Sequence, residues 1–344
     1  MKQNYDSIDL IKFIACIFIV ALHANALYDI NTVLNVIVCE GIARLGVPFF
    51  FTASAFFFFR KPLIWEGTRK YCKRLLTLYM AWFIVSIPKT IFDRFVCSPY
   101  PLGETIFRFI RSFFVTSTFS GSWFIASCVF CALFFYLLEK LDDRKRRVVT
   151  IALSAIIYFW ITFTSAYGRL IGPLGLSIFY AGYELILANP YCSIIVGIPY
   201  FALGRYYASR AEGGYYSKVH LFGLLAGISL ALLLSEVYLV NAHGLAKSTD
   251  CYFMLLPCIF FLFPVILHCN IKLKRPIFLR IASTVIFFSQ FWLLFFCEFV
   301  EWAVKVTIPW LLKFGFALLG GILLTLFILR CQEKKWFHWL RYLY

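Results

Sequence analysis

Charge is scarce in this 344-residue chain. Asp, Glu, Lys and Arg make up 15% of it against 62% apolar side chains, whereas soluble domains carry about a quarter of charged residues. The shortage excludes an ordinary water-soluble domain, and a bilayer is the solvent that tolerates such a composition. Acids are scarcer still, 17 against 33 basic residues, for a net charge of +16. That excess is no footprint for nucleic acid, because the basic residues come in short bursts between apolar runs rather than in one water-facing patch. A cleavable leader is missing too: Met1 to Lys12 is polar with two acids, and no small-residue cleavage site follows the apolar run. The first apolar segment is therefore expected to stay as a helix. The twelve cysteines lie mostly inside apolar segments, without metal-binding spacing or the pattern of a small secreted scaffold. The one Cys-x-x-Cys, Cys128 and Cys131, falls within an apolar helix and reads as packing. No soluble domain is appended and no internal repeat is clear, so residues 1–344 read as a single transmembrane domain.

What is present is a series of apolar runs. A helix needs about 20 such residues to cross the hydrocarbon. Candidates lie near 8–28, 45–59, 75–95, 122–139, 148–164, 191–209, 219–239, 252–268, 281–300 and 308–329. The expected fold is all-α, a polytopic membrane bundle of about ten helices. Two further stretches, 31–44 and 104–117, read as amphipathic or re-entrant helices. Basic residues flanking a span are retained in the cytoplasm. Placing 1–12, 60–74, 140–147, 205–218, 272–280 and 330–344 inside accounts for 24 of the 33, with both termini cytoplasmic. The nine left over are Arg44, Lys89, Arg94, Arg108, Arg111, Arg169, Lys247, Lys305 and Lys313.

The first run, DSIDLIKFIACIFIVALHANAL, holds the chemistry. His23 follows Lys12 by eleven residues, close to three turns, so the two share a helix face about 16 Å apart. An ionisable group deep in such a helix faces the bundle interior or a wet cavity and is a functional candidate. Bland readings stand beside this one. His23 is then a solvated tip, Lys12 an inner-side anchor, and Asp6, Ser7 and Asp9 cap the helix start. Asp9 is also placed to pair with Lys12, three residues away. Gly223 and Gly227 form a Gly-x-x-x-Gly that reads as close helix packing.

The chain resembles the membrane-bound acyltransferase-3 family in order along nearly its whole length. The family's first helix usually reads Asp, two residues, Arg, ten residues, His. The likeness continues in RLGVPFFFTASAFFFFRK, KRLLTLYMAWF, GSWFI at 121–125 and GIPYFALGRYYA at 197–208. The branch it looks most like holds envelope and exopolysaccharide O-acyltransferases and the membrane half of glycopeptide-resistance serine racemases, which also carry an Arg four residues before Pro, here Arg44 and Pro48.

The resemblance implies transfer of an acetyl or succinyl group from cytoplasmic acetyl-CoA or succinyl-CoA to a hydroxyl of an extracytoplasmic glycan, in a bacterial inner membrane, without a metal. The lipid bilayer, acyl-CoA and the glycan acceptor are the implied partners, with a glycan synthase as a further one. His23 is then the base, since an imidazole titrates near about pH 6.5, and Glu236 the accompanying carboxylate. Lys12, with Arg69, Lys70, Lys73 and Arg74, would meet the CoA phosphates. Asp9, Arg44, Ser54, Tyr79, Trp123 and Gln290 would line the cavity, and loops 165–190 and 240–251 would recognise the acceptor. For the aromatic and hydroxyl residues the plainer reading is a lipid-facing belt or a self-bonded Ser. The pattern departs from the family at Lys12 for Arg, at Thr77 for the second Arg of an Arg-x-x-Arg, at Ala55 for Gly and at Gln290 for His, which removes an acid or base there. The competing function is a transporter or flippase for a small solute or lipid-linked sugar, using the same polar residues.

Overall fold

The long apolar runs become helices, that at 191–209 only from Ile198, and no strand occurs among the described residues, 5–210 and 218–344 of a computed structural model. Lys2 and half of the inner segment at 205–218, residues 211–217, lie outside them. The helices are α1 (Asp6–His23), α2 (Thr32–Asn35), α3 (Gly46–Phe59), α4 (Trp65–Ile91), α5 (Leu102–Val115), α6 (Ser122–Leu138), α7 (Asp143–Ala166), α8 (Ser177–Leu187), α9 (Ile198–Arg210), α10 (Val219–Ala242), α11 (Leu255–His268), α12 (Pro276–Val304) and α13 (Trp310–Cys331).

Six helical stretches are long and apolar enough to cross a membrane: Thr32–Phe59, Trp65–Val96, Asp143–Ala166, Val219–Ala242, Pro276–Val304 and Trp310–Cys331. Ser122–Leu138 and Leu255–His268 are shorter apolar helices. The first of the six revises the sequence reading. Residues 31–44 are not a separate amphipathic helix before a span at 45–59. A π-helical stretch at Val36–Gly41 and a 3-10 turn at Ile42–Leu45 carry α2 directly into α3. Glu40 and Arg44 sit on that irregular stretch, and their charge hides the continuity from a hydropathy reading.

Local chemistry sets the helix ends. Asn25, at φ 48°, ends α1, with the Ala26 N–H closing back on the Ala21 carbonyl. The Asp142 side chain accepts the Lys145 N–H at the start of α7, and Pro276 opens α12. α5 has the division expected of an interfacial helix, with Ile106, Phe107, Ile110 and Phe114 exposed and Thr105 and Ser112 buried. The 165–190 segment, expected as a loop, contains α8, whose Ile178 and Phe179 are likewise exposed.

The chain falls into two compact units. The first takes the described parts of Met1–Phe49, Lys218–Tyr238 and Cys258–Tyr344, and the second those of Phe50–Ser217 and Leu239–Pro257. Close helix approach does not occur where Gly223 and Gly227 predicted it, since a side chain at either would meet open space. It occurs in the second unit at Gly204, where a Cβ would lie 2.5 Å from the Ala55 Cβ and 2.6 Å from the Thr52 carbonyl. Ala55 therefore packs on a glycine in α9. In the first unit, a Cβ at Gly46 or Gly321 would lie 2.8 Å from Ile19 and 2.9 Å from Ile286.

Candidate functional site

In the first unit, α1 lies alongside α12 in parallel, and three contacts mark the register. Arg280 grips Asp9 with a forked pair, Nη2 at 2.6 Å and Nε at 3.1 and 3.2 Å from the carboxylate oxygens. The Cys16 thiol donates to the Ser283 carbonyl at 3.3 Å, and the His23 ring stands edge-on to Phe291 at 4.9 Å. Asp9, Cys16 and His23 repeat every seven residues, which keeps a helix stripe on one neighbour. Lys12 falls on the edge of the same stripe, and α1 is unbroken between Lys12 and His23. The two residues thus share a face, as the spacing predicted. His23 is not deep in the helix, however. It is the terminal residue of α1 and exposed, whereas Lys12 is half-buried.

Sequence spacing suggested Lys12 as the partner of Asp9. The grip of Arg280, 271 residues away, was not foreseen, because no local pattern connects them. The Asp9 side chain is 4% exposed, so this carboxylate is held by an ion pair and is not an open cavity wall.

Gln290 is fully buried on α12, one residue before the neighbour of His23. Its Nε2 donates to the Phe287 carbonyl at 2.9 Å while its Oε1 is buried without a hydrogen-bond partner. The segments that carry Arg44 and Glu236 pack on each other. Gly41, three residues before Arg44, abuts Leu234 and Val237 on either side of Glu236, and Gly46 abuts α1 at Ala15 and Ile19. Farther along, Lys313 is buried in an ion pair with Glu301 at 2.9 Å, a pair the sequence reading missed.

The second unit holds the other expected residues. Lys70, Lys73 and Arg74 are exposed in the first turns of α4, with Arg74 over the Tyr71 ring at 5.7 Å and Thr77 bonded back to the Lys73 carbonyl. Tyr79 is buried and shares a 2.6 Å hydrogen bond with Thr118. Ser54 is half-buried on α3. Cys128 and Cys131 are buried free thiols, and Cys131 closes on Gly197. The two proposed acceptor loops lie against each other. The Arg169 N–H donates to the Leu245 carbonyl, and Lys247 donates to the Tyr180 hydroxyl at 2.6 Å. Burial, with the Glu184 charge added, pushes the Tyr180 phenol up to about 12, so it accepts this bond as a neutral hydroxyl. Glu139 is clasped between Arg146 and Arg205.

Trp123 lines a cavity of about 520 Å³ together with Arg94, Arg108, Arg111 and Asn189. That size falls within the range of small-molecule sites, about 300–1,000 Å³. No sequence pattern announces it, because its walls come from the π-helical stretch Phe92–Val96 that continues α4, from the connection that follows, from α5, from the start of α6 and from the turn after α8. Ala188, at φ 56° and ψ −69°, holds that turn in a conformation that costs about 1–3 kcal/mol. Among the described residues no cluster of three or more metal-ligating side chains forms.

Comparison with known proteins places this geometry in a family. Residues 5–330 match the acyltransferase-3 family model, described as an acyltransferase domain. An amino-acid racemase of Enterococcus faecalis is 25% identical over 289 residues, which are 82% of this chain and 38% of that protein. A serine/alanine racemase of Enterococcus gallinarum is 24% identical over 277 residues, 78% of this chain and 38% of that protein. The chain thus spans well under half the length of these curated relatives. No solved structure matches. With helices long and apolar enough to cross a membrane several times and a family match over nearly its whole length, this chain is a multi-pass membrane protein of the acyltransferase-3 family.

Proposed function

We propose that the chain is a membrane O-acyltransferase of the bacterial inner membrane, moving an acetyl or succinyl group from cytoplasmic acyl-CoA to a hydroxyl of an extracytoplasmic glycan. The observation that carries this reading is the unbroken α1, with Lys12 and His23 on one face and His23 at its far end. A cation at one end suits the CoA phosphates, and an imidazole about 16 Å along suits the hydroxyl that attacks the thioester. His23 takes the hydroxyl proton as the oxygen bonds to the acyl carbon, and as the C–S bond breaks that proton passes to the sulfur, so that CoA leaves as its thiol and the imidazole is restored. Glu236 and Arg44, on segments that pack at Gly41, would orient the imidazole or hold the acyl carbonyl, and Gln290 would bind without acting as acid or base. Lys70, Lys73 and Arg74 form an exposed basic turn suited to phosphate. The racemase names belong to longer proteins of which this chain matches 38%, and acyl transfer is the chemistry the matched family supports.

The test is CoA release and acyl-glycan formation by the purified protein with acetyl-CoA or succinyl-CoA. His23→Ala lowers kcat by about 10²–10⁴-fold, the range of a general base, with CoA binding retained. Unchanged turnover would remove His23 from the mechanism, and solute flux without CoA consumption would replace the enzyme with a transporter. Lys12→Ala weakens CoA binding and Lys12→Arg strengthens it by restoring a bidentate fork. Equal affinity in all three forms discards that role.

A further inference from the structure

Three of the nine basic residues outside the cytoplasmic set, Arg94, Arg108 and Arg111, converge on the cavity beside Trp123. α4 and α6 run antiparallel, because Trp65 at the start of one meets Tyr136 near the end of the other at 5.5 Å. The cavity lies at their opposite ends, about 40 Å along the 27-residue α4 from its basic first turns. The basic-residue distribution that puts those turns in the cytoplasm puts this cavity outside.

Its charge is only partly neutralised. Glu104 binds Arg108 at 2.7–2.8 Å, and Lys89 binds the lining Asp93 at 2.5 Å. Arg94, which also feels the Asp93 charge, and Arg111 donate their hydrogen bonds to backbone carbonyls, of Ser117 at 2.9 Å and Leu185 at 2.8 Å. Two lining atoms are buried without a hydrogen-bond partner, the Arg111 Nε donor and the Asn189 Oδ1 acceptor. A buried polar atom left unbonded costs free energy that a ligand recovers. The missing complement is an anionic oxygen for the guanidiniums with a hydroxyl donor close by. Trp123 adds an apolar face of the kind that sugars stack on.

We propose that this cavity binds the anionic group, carboxylate or phosphate ester, of the sugar acceptor, with Arg94 and Arg111 holding the charge and Asn189 a neighbouring hydroxyl. The word acceptor rests on the O-acyl-transfer reading, whereas binding itself is measured without acyl-CoA. A failure here therefore leaves the His23 comparison intact, and a failure there leaves this site intact.

The experiment titrates the full chain in phosphatidylcholine nanodiscs with glucuronate, glucose 6-phosphate, inorganic phosphate and glucose, by calorimetry. Both sugar anions bind saturably, and glucose binds at least tenfold more weakly. Arg111→Gln weakens both anions at least tenfold, while Arg111→Lys, which keeps the charge and guards against misfolding, retains most of the affinity. Asn189→Ala weakens the sugar anions and spares inorganic phosphate. Equal affinity for glucose, indifference to Arg111→Gln, or no saturable binding would overturn the proposal. A further arm repeats the titration in phosphatidylglycerol nanodiscs at high salt, where surface repulsion is screened. Loss of sugar-anion binding only there would make a lipid headgroup the occupant and overturn the sugar assignment, and retention supports it.

Discussion

The helix seams of the first unit and the cavity of the second use charge differently. In the first, charged side chains answer one another across helix seams, Asp9 with Arg280 and Glu301 with Lys313, so that ion pairs fix how helices pack. In the second, two arginines rest on backbone carbonyls at the rim of a cavity and keep their charge available. An arginine forked on a carboxylate holds a register, whereas one hydrogen-bonded to a backbone carbonyl forms a binding wall.

Removing one member from each class breaks or sharpens that contrast. Arg280→Ala destabilises the protein by about 1–3 kcal/mol, because it strips a partner from a nearly buried carboxylate, while Arg94→Ala stays within about 0.5 kcal/mol. Thermal unfolding in detergent reads both, and equal losses would erase the distinction. Next in size is a glycine pair. Gly204→Ala costs about 1–2 kcal/mol by forcing α3 and α9 apart, whereas Gly223→Ala, facing open space in α10, gains up to about 0.5–1 kcal/mol. The smallest effect is at Asp142, which the Lys145 N–H holds below the usual carboxylate range. Its folded value is the lower one, so its stabilising contribution is present above about pH 3.9 and fades as pH falls through that depressed value. Asp142→Asn keeps the cap and removes this pH dependence, and an unfolding series from pH 2 to 6 checks it.

The legible part of this molecule was what repeats along the chain. Apolar runs of helical length gave the helix positions, and the 3.6-residue period put Lys12 and His23 on one face. The hidden part was what long-range packing decides. Arg280 reads as one more inner-side cation until α12 is laid on α1. The cavity residues read as scattered exceptions to the orientation rule until α5 and the 188–189 turn bring them together. Gly223 misled because spacing alone does not say which helix face has a neighbour, and Gly204, with no paired glycine to advertise it, carries the tight crossing.

The parallel ladder between α1 and α12 is tied at both ends, by Asp9 with Arg280 and by His23 with Phe291. Sliding either helix lengthwise by one turn, about 5.4 Å, would tear the guanidinium fork from its carboxylate. The pair is therefore a strut that travels as one piece. The imidazole is carried at the tip of that strut.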